Sequence, residues 1–375
     1  MRSRSISAAQ APMPTDVVAA LRAYDPGHDL PSLRNARAPG ALVELGSNEN
    51  SFGPSPRVLE ALRCVTAEDV FRYPDPLGLG VRRALSLALG VAVEQVLLGN
   101  GSHELLMLAA QCYAGPGHEV VFSEFGFAVF PIATAAVGAT PRVAPARARG
   151  DAMPRGHDLD ALAAQLSPRT KLVYLANPNN PTGTWFDRDA LAAFLARVPP
   201  TALVVLDEAY HEYTDVLEIP DGVKLVASHP NVLVTRTFSK GYGLAGLRLG
   251  YAVGHPNVVA TLNRLRESFN ANALALVAAG AALADPHHVA LIRAKTRAER
   301  TRVGGVLTGA GFVVHPSQTN FLLVDFGQPA EPIESKLLAH GVVVRPMGGY
   351  GLPTCLRVSI GRPAENDRLL LAFGA

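Results

Sequence analysis

Short, nearly continuous apolar runs recur along most of the chain, at residues 96–98, 119–122, 142–144, 171–176, 203–206, 231–234 and 247–253. Runs of this length with polar or glycine-containing flanks predict buried strands. Between them, residues 105–112, 125–137, 159–166 and 188–198 carry apolar positions at helical spacing, so strand and helix alternate. That alternation predicts an α/β fold with a mainly parallel sheet and helices on both faces, because parallel neighbours need a crossover connection. Ahead of this block, residues 17–24 predict a short helix broken by Asp25-Pro26-Gly27-His28, residues 42–45 a strand, and Pro54-Ser55-Pro56 the start of a helix through residue 64.

The texture changes at Asp285. A long charged helix to residue 307 is followed by strands at 312–315 and 321–324, a helix at 333–339, strands at 342–345 and 356–360, and a final helix from 367. This order predicts a smaller α+β domain, and a chain of 375 residues is long for a single core. The expected division is an N-terminal arm (1–45) packing with the small domain, a large domain (46–284) and a small C-terminal domain (285–375). The Ala-rich stretch 271–284 reads as a buried helix and is too short to cross a bilayer, so no membrane partner is expected.

Composition narrows the function. The net charge of +2, with both signs mixed along the chain, leaves no basic stripe of the kind that binds nucleic acid. Cys64, Cys112 and Cys355 are widely spaced in apolar surroundings, which predicts reduced core thiols and a cytoplasmic protein. Residues 1–14 lack the apolar core of a secretory signal and read as a disordered tail.

Several strand ends carry candidate chemistry. Lys240 lies in the Gly/Ser-rich segment Phe238-Ser239-Lys240-Gly241-Tyr242-Gly243 between two apolar runs, and is either a solvated loop charge or an imine-forming nucleophile. Gly99-Asn100-Gly101-Ser102-His103-Glu104 joins a strand to a helix start, where free N–H groups and the positive dipole end suit a phosphate; the same residues also serve plain capping. Asp207 follows a Leu/Val run, at the carboxyl end of a buried strand where open α/β sheets bind ligands. Asn177-Pro178-Asn179-Asn180-Pro181-Thr182-Gly183 makes a stiff turn able to present amides. Phe125, nearest the expected crevice, can stack on a flat ring, with Phe127 and Phe130 as core. Arg345 and Arg357 are surface charges or anion clamps, and Arg72-Tyr73-Pro74-Asp75-Pro76 is a stiff extended connector.

Together, and in this order, these residues resemble the aminotransferase class I/II family, the fold-type I enzymes that use pyridoxal 5′-phosphate. The segments that carry the likeness are Asn48-Glu49-Asn50 with Gly53-Pro54-Ser55-Pro56, Tyr73-Pro74, Gly101-Ser102-His103-Glu104, the Asn177–Gly183 turn, Asp207-Glu208-Ala209-Tyr210, Ser239-Lys240 with Gly246-Leu247-Arg248, and Leu356-Arg357-Val358. Within the family the likeness is closest to the branch that transaminates histidinol phosphate. It implies a seven-stranded sheet, Lys240 as the imine-forming lysine, Asp207 as partner of the pyridinium nitrogen, and Asn180 and Tyr210 on the ring's 3′-oxygen. It also implies Ser102, His103, Ser239 and Arg248 around the phosphate, Phe125 against the ring, and a homodimer in which Tyr73 reaches the neighbouring subunit's phosphate. Arg357 matches the arginine that holds the substrate carboxylate, and Tyr24 and Arg345 match positions around the substrate's distal phosphate. The implied partners are an amino donor and a 2-oxo acid acceptor. An aromatic aminotransferase and a decarboxylase of a phosphorylated amino acid are the alternatives among enzymes. The pyridoxal-binding domain of a transcription regulator is a third, disfavoured because the Pro-rich segment before Leu42 is too short for a winged helix.

Overall fold

A computed structural model of the protein describes residues 12–21, 27–38 and 40–374. Its strands are β1 (Val43–Glu44), β2 (Val96–Gly99), β3 (Glu119–Ser123), β4 (Thr140–Ala144), β5 (Thr170–Ala176), β6 (Leu203–Asp207), β7 (Val232–Thr237), β8 (Gly250–Gly254), β9 (Val313–Val314), β10 (Phe321–Asp325), β11 (Val342–Val343), β12 (Arg345–Pro346) and β13 (Cys355–Ser359). The central sheet has seven strands in the order β2-β8-β7-β6-β5-β3-β4. All neighbours run parallel except β8, which is antiparallel to both β7 and β2.

Strands β2, β3, β5, β6, β7 and β8 are buried almost throughout, which is why they read as continuous apolar runs rather than alternating ones. Their two faces feed separate apolar clusters. One gathers Val121, Val173, Val204 and Val234 with the Ala-rich helix Ala273–Leu283; the other gathers Val120, Leu172, Val205 and Leu233 with the helix Ser102–Tyr113. Among the described residues no single helix is long and apolar enough to cross a membrane, and the helices Ala273–Leu283 and Pro286–Gly309 are bent 82° from one another.

The C-terminal residues form a four-stranded antiparallel sheet, β12-β13-β10-β9, over a core of Leu322, Val324, Leu356, Val358 and Leu369. Val43 and Leu45 join that core, and β1 pairs in parallel with β11. The predicted strand 342–345 is in fact two, because Val344 separates a pair with β1 from a pair with β13.

Other boundaries also move. The helix predicted from Phe125 starts at Val129, since a turn closed by Gly126 N–H donating to Ser123 O (2.9 Å) comes first. Thr235, Arg236 and Thr237 extend β7 instead of belonging to the loop, and β8 begins at Gly250 after a 3-10 turn and a left-handed Arg248 (φ 57°). Cys64 ends a surface helix and is exposed, so it is not a core thiol.

Candidate active site

The parallel register brings the carboxyl ends of β5, β6 and β7 level: Ala176 faces Asp207, and Asp207 faces Thr235. A cavity of about 290 Å³ opens at these ends, between the central sheet and the C-terminal sheet. Lys240 follows β7 and lines it, with Asp207 and Tyr210 after β6 and Asn180 after β5. Ser102, His103, Ser239 and Arg248 line one end; Arg345 and Arg357 line the other.

Lys240 Nζ donates to the backbone carbonyls of Ser47 (3.2 Å) and Asn48 (3.0 Å) and lies 5.9 Å from the Tyr210 ring centre. Burial pulls its pKa down to about 7, helped by the charges of Arg357 and Arg248 and opposed by Glu49. A lysine near neutrality offers an uncharged amine at physiological pH, which a solvated loop lysine does not. Asp207 is buried, accepts a hydrogen bond from Thr235 Oγ1 (2.9 Å) on Oδ1, and has its pKa pushed up to about 7 by desolvation. A cation beside it would return the carboxylate to its charged form.

Tyr210 accepts a hydrogen bond from Asn48 Nδ2 (2.9 Å), and burial raises its pKa. Asn48 itself is buried in a left-handed conformation (φ 55°), with its N–H donating to Ser359 Oγ (2.9 Å). It therefore ties the lysine, the tyrosine and the C-terminal sheet together.

The end lined by Ser102 and Arg248 combines a helix start with polar side chains. The helix Ser102–Tyr113 begins with no side-chain cap on its first N–H groups. Gly101 holds φ 77°, ψ 164°, a conformation that favours glycine, and Arg248 Nη2 occupies the space a Cβ would take. Arg248 Nη1 donates to Ser239 Oγ (3.2 Å) and Ala245 O (3.1 Å), which sets the guanidinium beside the helix start. Free N–H groups, a hydroxyl and an arginine converge as a phosphate requires. His103 has its pKa lowered by burial and by Arg248, so it adds no charge at neutral pH.

At the other end Arg345 and Arg357 are directly opposite across β12 and β13. Arg357 donates to Asn180 Oδ1 (2.7 Å) and Gly46 O (2.9 Å) and lies 5.4 Å from the Phe321 ring centre. A second cavity of about 540 Å³ adjoins the first, sharing Phe127, Asn180, Arg345 and Arg357, with Phe122, Pro131, Ile132 and Leu21 as apolar walls.

Three expected residues remain to be placed: Phe125, Tyr73, which was expected at the neighbouring subunit's phosphate rather than in its own cavity, and Tyr24. Phe125 does not line the cavity: the turn at Gly126 sends its side chain into a cluster with Leu323, Met347 and Cys355, and Phe127 lines the cavity in its place. Tyr73 lies outside, 81% exposed, stacked on Phe269 with ring centres 4.5 Å apart. Tyr24 lies outside the described residues. Asn48 and Phe127 were missed as site residues. An asparagine in a polar turn has a left-handed tendency that could have signalled Asn48, whereas Phe127 depended on the turn geometry.

The chain is similar to known proteins over nearly its whole length. The model of the family "Aminotransferase class I and II" matches residues 41–373. Histidinol-phosphate aminotransferase 2 of Pseudomonas aeruginosa is 50% identical over 356 residues, 94% of this chain and 95% of that protein. Histidinol-phosphate aminotransferase 1 of Nitrosococcus oceani is 44% identical, with 94% of each chain covered. Among solved structures, histidinol-phosphate aminotransferase of Sinorhizobium meliloti in complex with pyridoxal-5′-phosphate has a TM-score of 0.86 at 33% identity, covering 96% of both chains. With its sheet, cavity and match to the family model, the chain belongs to the class I and II aminotransferases.

Proposed function

We propose that the protein transfers the amino group of histidinol phosphate to 2-oxoglutarate, using pyridoxal 5′-phosphate, in two half-reactions at one site. The observation that carries the reading is the meeting of Lys240, drawn toward neutrality, with Asp207, Arg248 and Ser239 in one cavity. Bound there, pyridoxal 5′-phosphate supplies an electron sink that stabilises the charge developing at the substrate's Cα. Lys240 Nζ would hold the cofactor's aldehyde carbon and, once displaced by the amino donor, would take the Cα proton and deliver it to that former aldehyde carbon. Asp207 would keep the ring nitrogen protonated. Asn180 and Tyr210 would donate to the ring's 3′-oxygen, and Phe127 would cover a ring face. The N–H groups of Ser102 and His103, Ser239 Oγ and Arg248 would hold the phosphate.

The substrate assignment rests on the relatives' identity together with the arginine pair. Arg357, held by Asn180 and Gly46, suits a carboxylate in a two-pronged grip, and Arg345 adds a second cation for a phosphate. The apolar walls of the adjoining cavity suit an aromatic ring. Tyr24 remains a candidate contact to the distal phosphate.

A homodimer, the division into arm, large and small domains, and a cytoplasmic location belong to the same proposal. Val70, Phe71, Leu77 and Tyr73 are exposed, and Tyr73 stacks on Phe269; a second copy would cover such apolar side chains while using Tyr73 on its own phosphate.

Two measurements test this. Purified protein given the cofactor should show a visible band near roughly 410–430 nm, and its absence would remove the lysine linkage. With 2-oxoglutarate as acceptor, kcat/KM for histidinol phosphate should exceed that for phenylalanine and aspartate. A tenfold preference for phenylalanine, about 1.4 kcal/mol in transition-state binding, would reassign the substrate.

A further inference from the structure

Glu212 is a buried carboxyl for which the reaction above has no use. It lies in the 3-10 turn His211–Tyr213 just beyond Tyr210 and is 6% exposed, and its Oε2 has no hydrogen-bond partner. An unpartnered buried carboxyl costs folding stability, so its presence calls for a functional account. The obvious counter-ion is occupied: Arg236 donates to Glu208 Oε2 (2.9 and 2.6 Å) and to Asp221 Oδ1 (2.6 Å).

What Glu212 does touch is the backbone next to the reactive lysine. A Cβ placed on Gly241 would stand 2.5 Å from Glu212 Cβ and 3.0 Å from Cγ, so Gly241 lies flat against the glutamate stem. Asn50 Nδ2 also donates to Gly241 O (3.2 Å). The peptide after Lys240 is thus clasped between two side chains. Glu212 is itself anchored, because Arg293 Nε, on the long helix Pro286–Gly309, donates to its carbonyl (2.8 Å).

We propose that Glu212 is a positioning residue: through Gly241 it fixes where Lys240 Nζ stands, and it passes the position of the helix Pro286–Gly309 to the lysine. The inference rests on the assignment of Lys240 as the cofactor-linked residue. Burial pushes the Glu212 carboxyl up to about 7 against the opposing charges of Arg236 and Arg293, with Glu208 raising it further; Tyr213, Tyr242 and Tyr251 are its other titratable neighbours. Because Gly241 meets the Glu212 stem rather than its carboxyl, the side chain acts here by shape and packing. The isosteric amide should therefore replace it, and a shortened side chain should not.

The test uses the cofactor-loaded protein and the pH midpoint at which its visible band changes, which reports protonation at Lys240 Nζ. Burial, Arg357 and Arg248, which lower the pKa of the free Lys240 amine, also disfavour a positive charge on the linked nitrogen, so loosening the clasp and admitting water should move the midpoint up. Glu212→Ala should raise it by about one pH unit and lower kcat about tenfold with KM values within about twofold, whereas Glu212→Gln should match the parent. Glu212→Asp, which withdraws the carboxyl by one methylene and keeps the fold if the alanine variant does not, should show an upward shift of the same sign. An unmoved midpoint in a folded Glu212→Asp or Glu212→Ala protein, with only the melting temperature lowered, would overturn the proposal. Failure of the parent protein to show any visible band would instead break the Lys240 assignment.

Discussion

The two ends of the cavity are made in different ways. At the end lined by Lys240 and Asp207 most groups stand at or just beyond the carboxyl end of a strand, Arg248 coming instead just before the antiparallel β8, and register aligns Ala176, Asp207 and Thr235. At the substrate end the two arginines come from a separate antiparallel sheet, where pairing of β12 with β13 sets them face to face. The first construction yields groups whose desolvation strongly shifts their pKa values, the half-buried Lys240 and the buried Asp207. The second yields arginines, which stay charged in any surroundings and act by geometry. The chemistry at one end depends on burial, and the recognition at the other depends on placement.

Substitutions can break this contrast. The largest effect is expected from Lys240→Ala, which should lower kcat by about 10⁴-fold or more while the cofactor still co-purifies, read by steady-state rates and absorbance. Arg357→Ala should raise KM for 2-oxoglutarate about 100-fold with a smaller change in kcat, and lysine should restore little because it cannot make the two-pronged contact. A large fall in kcat with KM unmoved would place Arg357 with the chemistry rather than with recognition.

Asp207→Asn probes burial through stability. The folded pKa of Asp207 is raised, to about 7, so the cost of its burial is absent at pH 4, grows between pH 4 and 7, and is complete above 7. In cofactor-free protein the asparagine variant should thus melt higher than the parent by about 5 °C at pH 8 and equally at pH 4, measured by calorimetry. The smallest effect separates two neighbouring aromatics. Phe127→Ala should weaken cofactor retention about tenfold, whereas Phe125→Ala should lower only the melting temperature, because Phe125 packs against Leu323 and Met347.

The contrast also explains what could be read from the sequence. Lys240, Asp207, Asn180 and Ser102 could be placed near strand ends because each follows an apolar run read as a buried strand, whereas Arg248 precedes β8 and its expected role came from the family resemblance. Phe125 was misplaced for a local reason: a turn closed on Ser123 and Gly126 exchanges the directions of two phenylalanines two positions apart. The opposition of Arg345 and Arg357 needed a long-range register that no local pattern encodes. Asn48 was visible as part of a motif, but its bonds to Tyr210 and Ser359 join positions distant in sequence.

That last connection bears on when the protein becomes an enzyme. Asn48 leaves the ribosome early, yet the hydroxyl that receives its N–H belongs to Ser359, 311 positions later. At ordinary elongation rates the interval is on the order of tens of seconds. During it the central sheet can assemble with Lys240 in place, while the wall contributed by Asn48, Arg345 and Arg357 has nothing to close against. Ability to retain substrate should therefore come later than collapse of the large sheet, once Ser359 is available to Asn48.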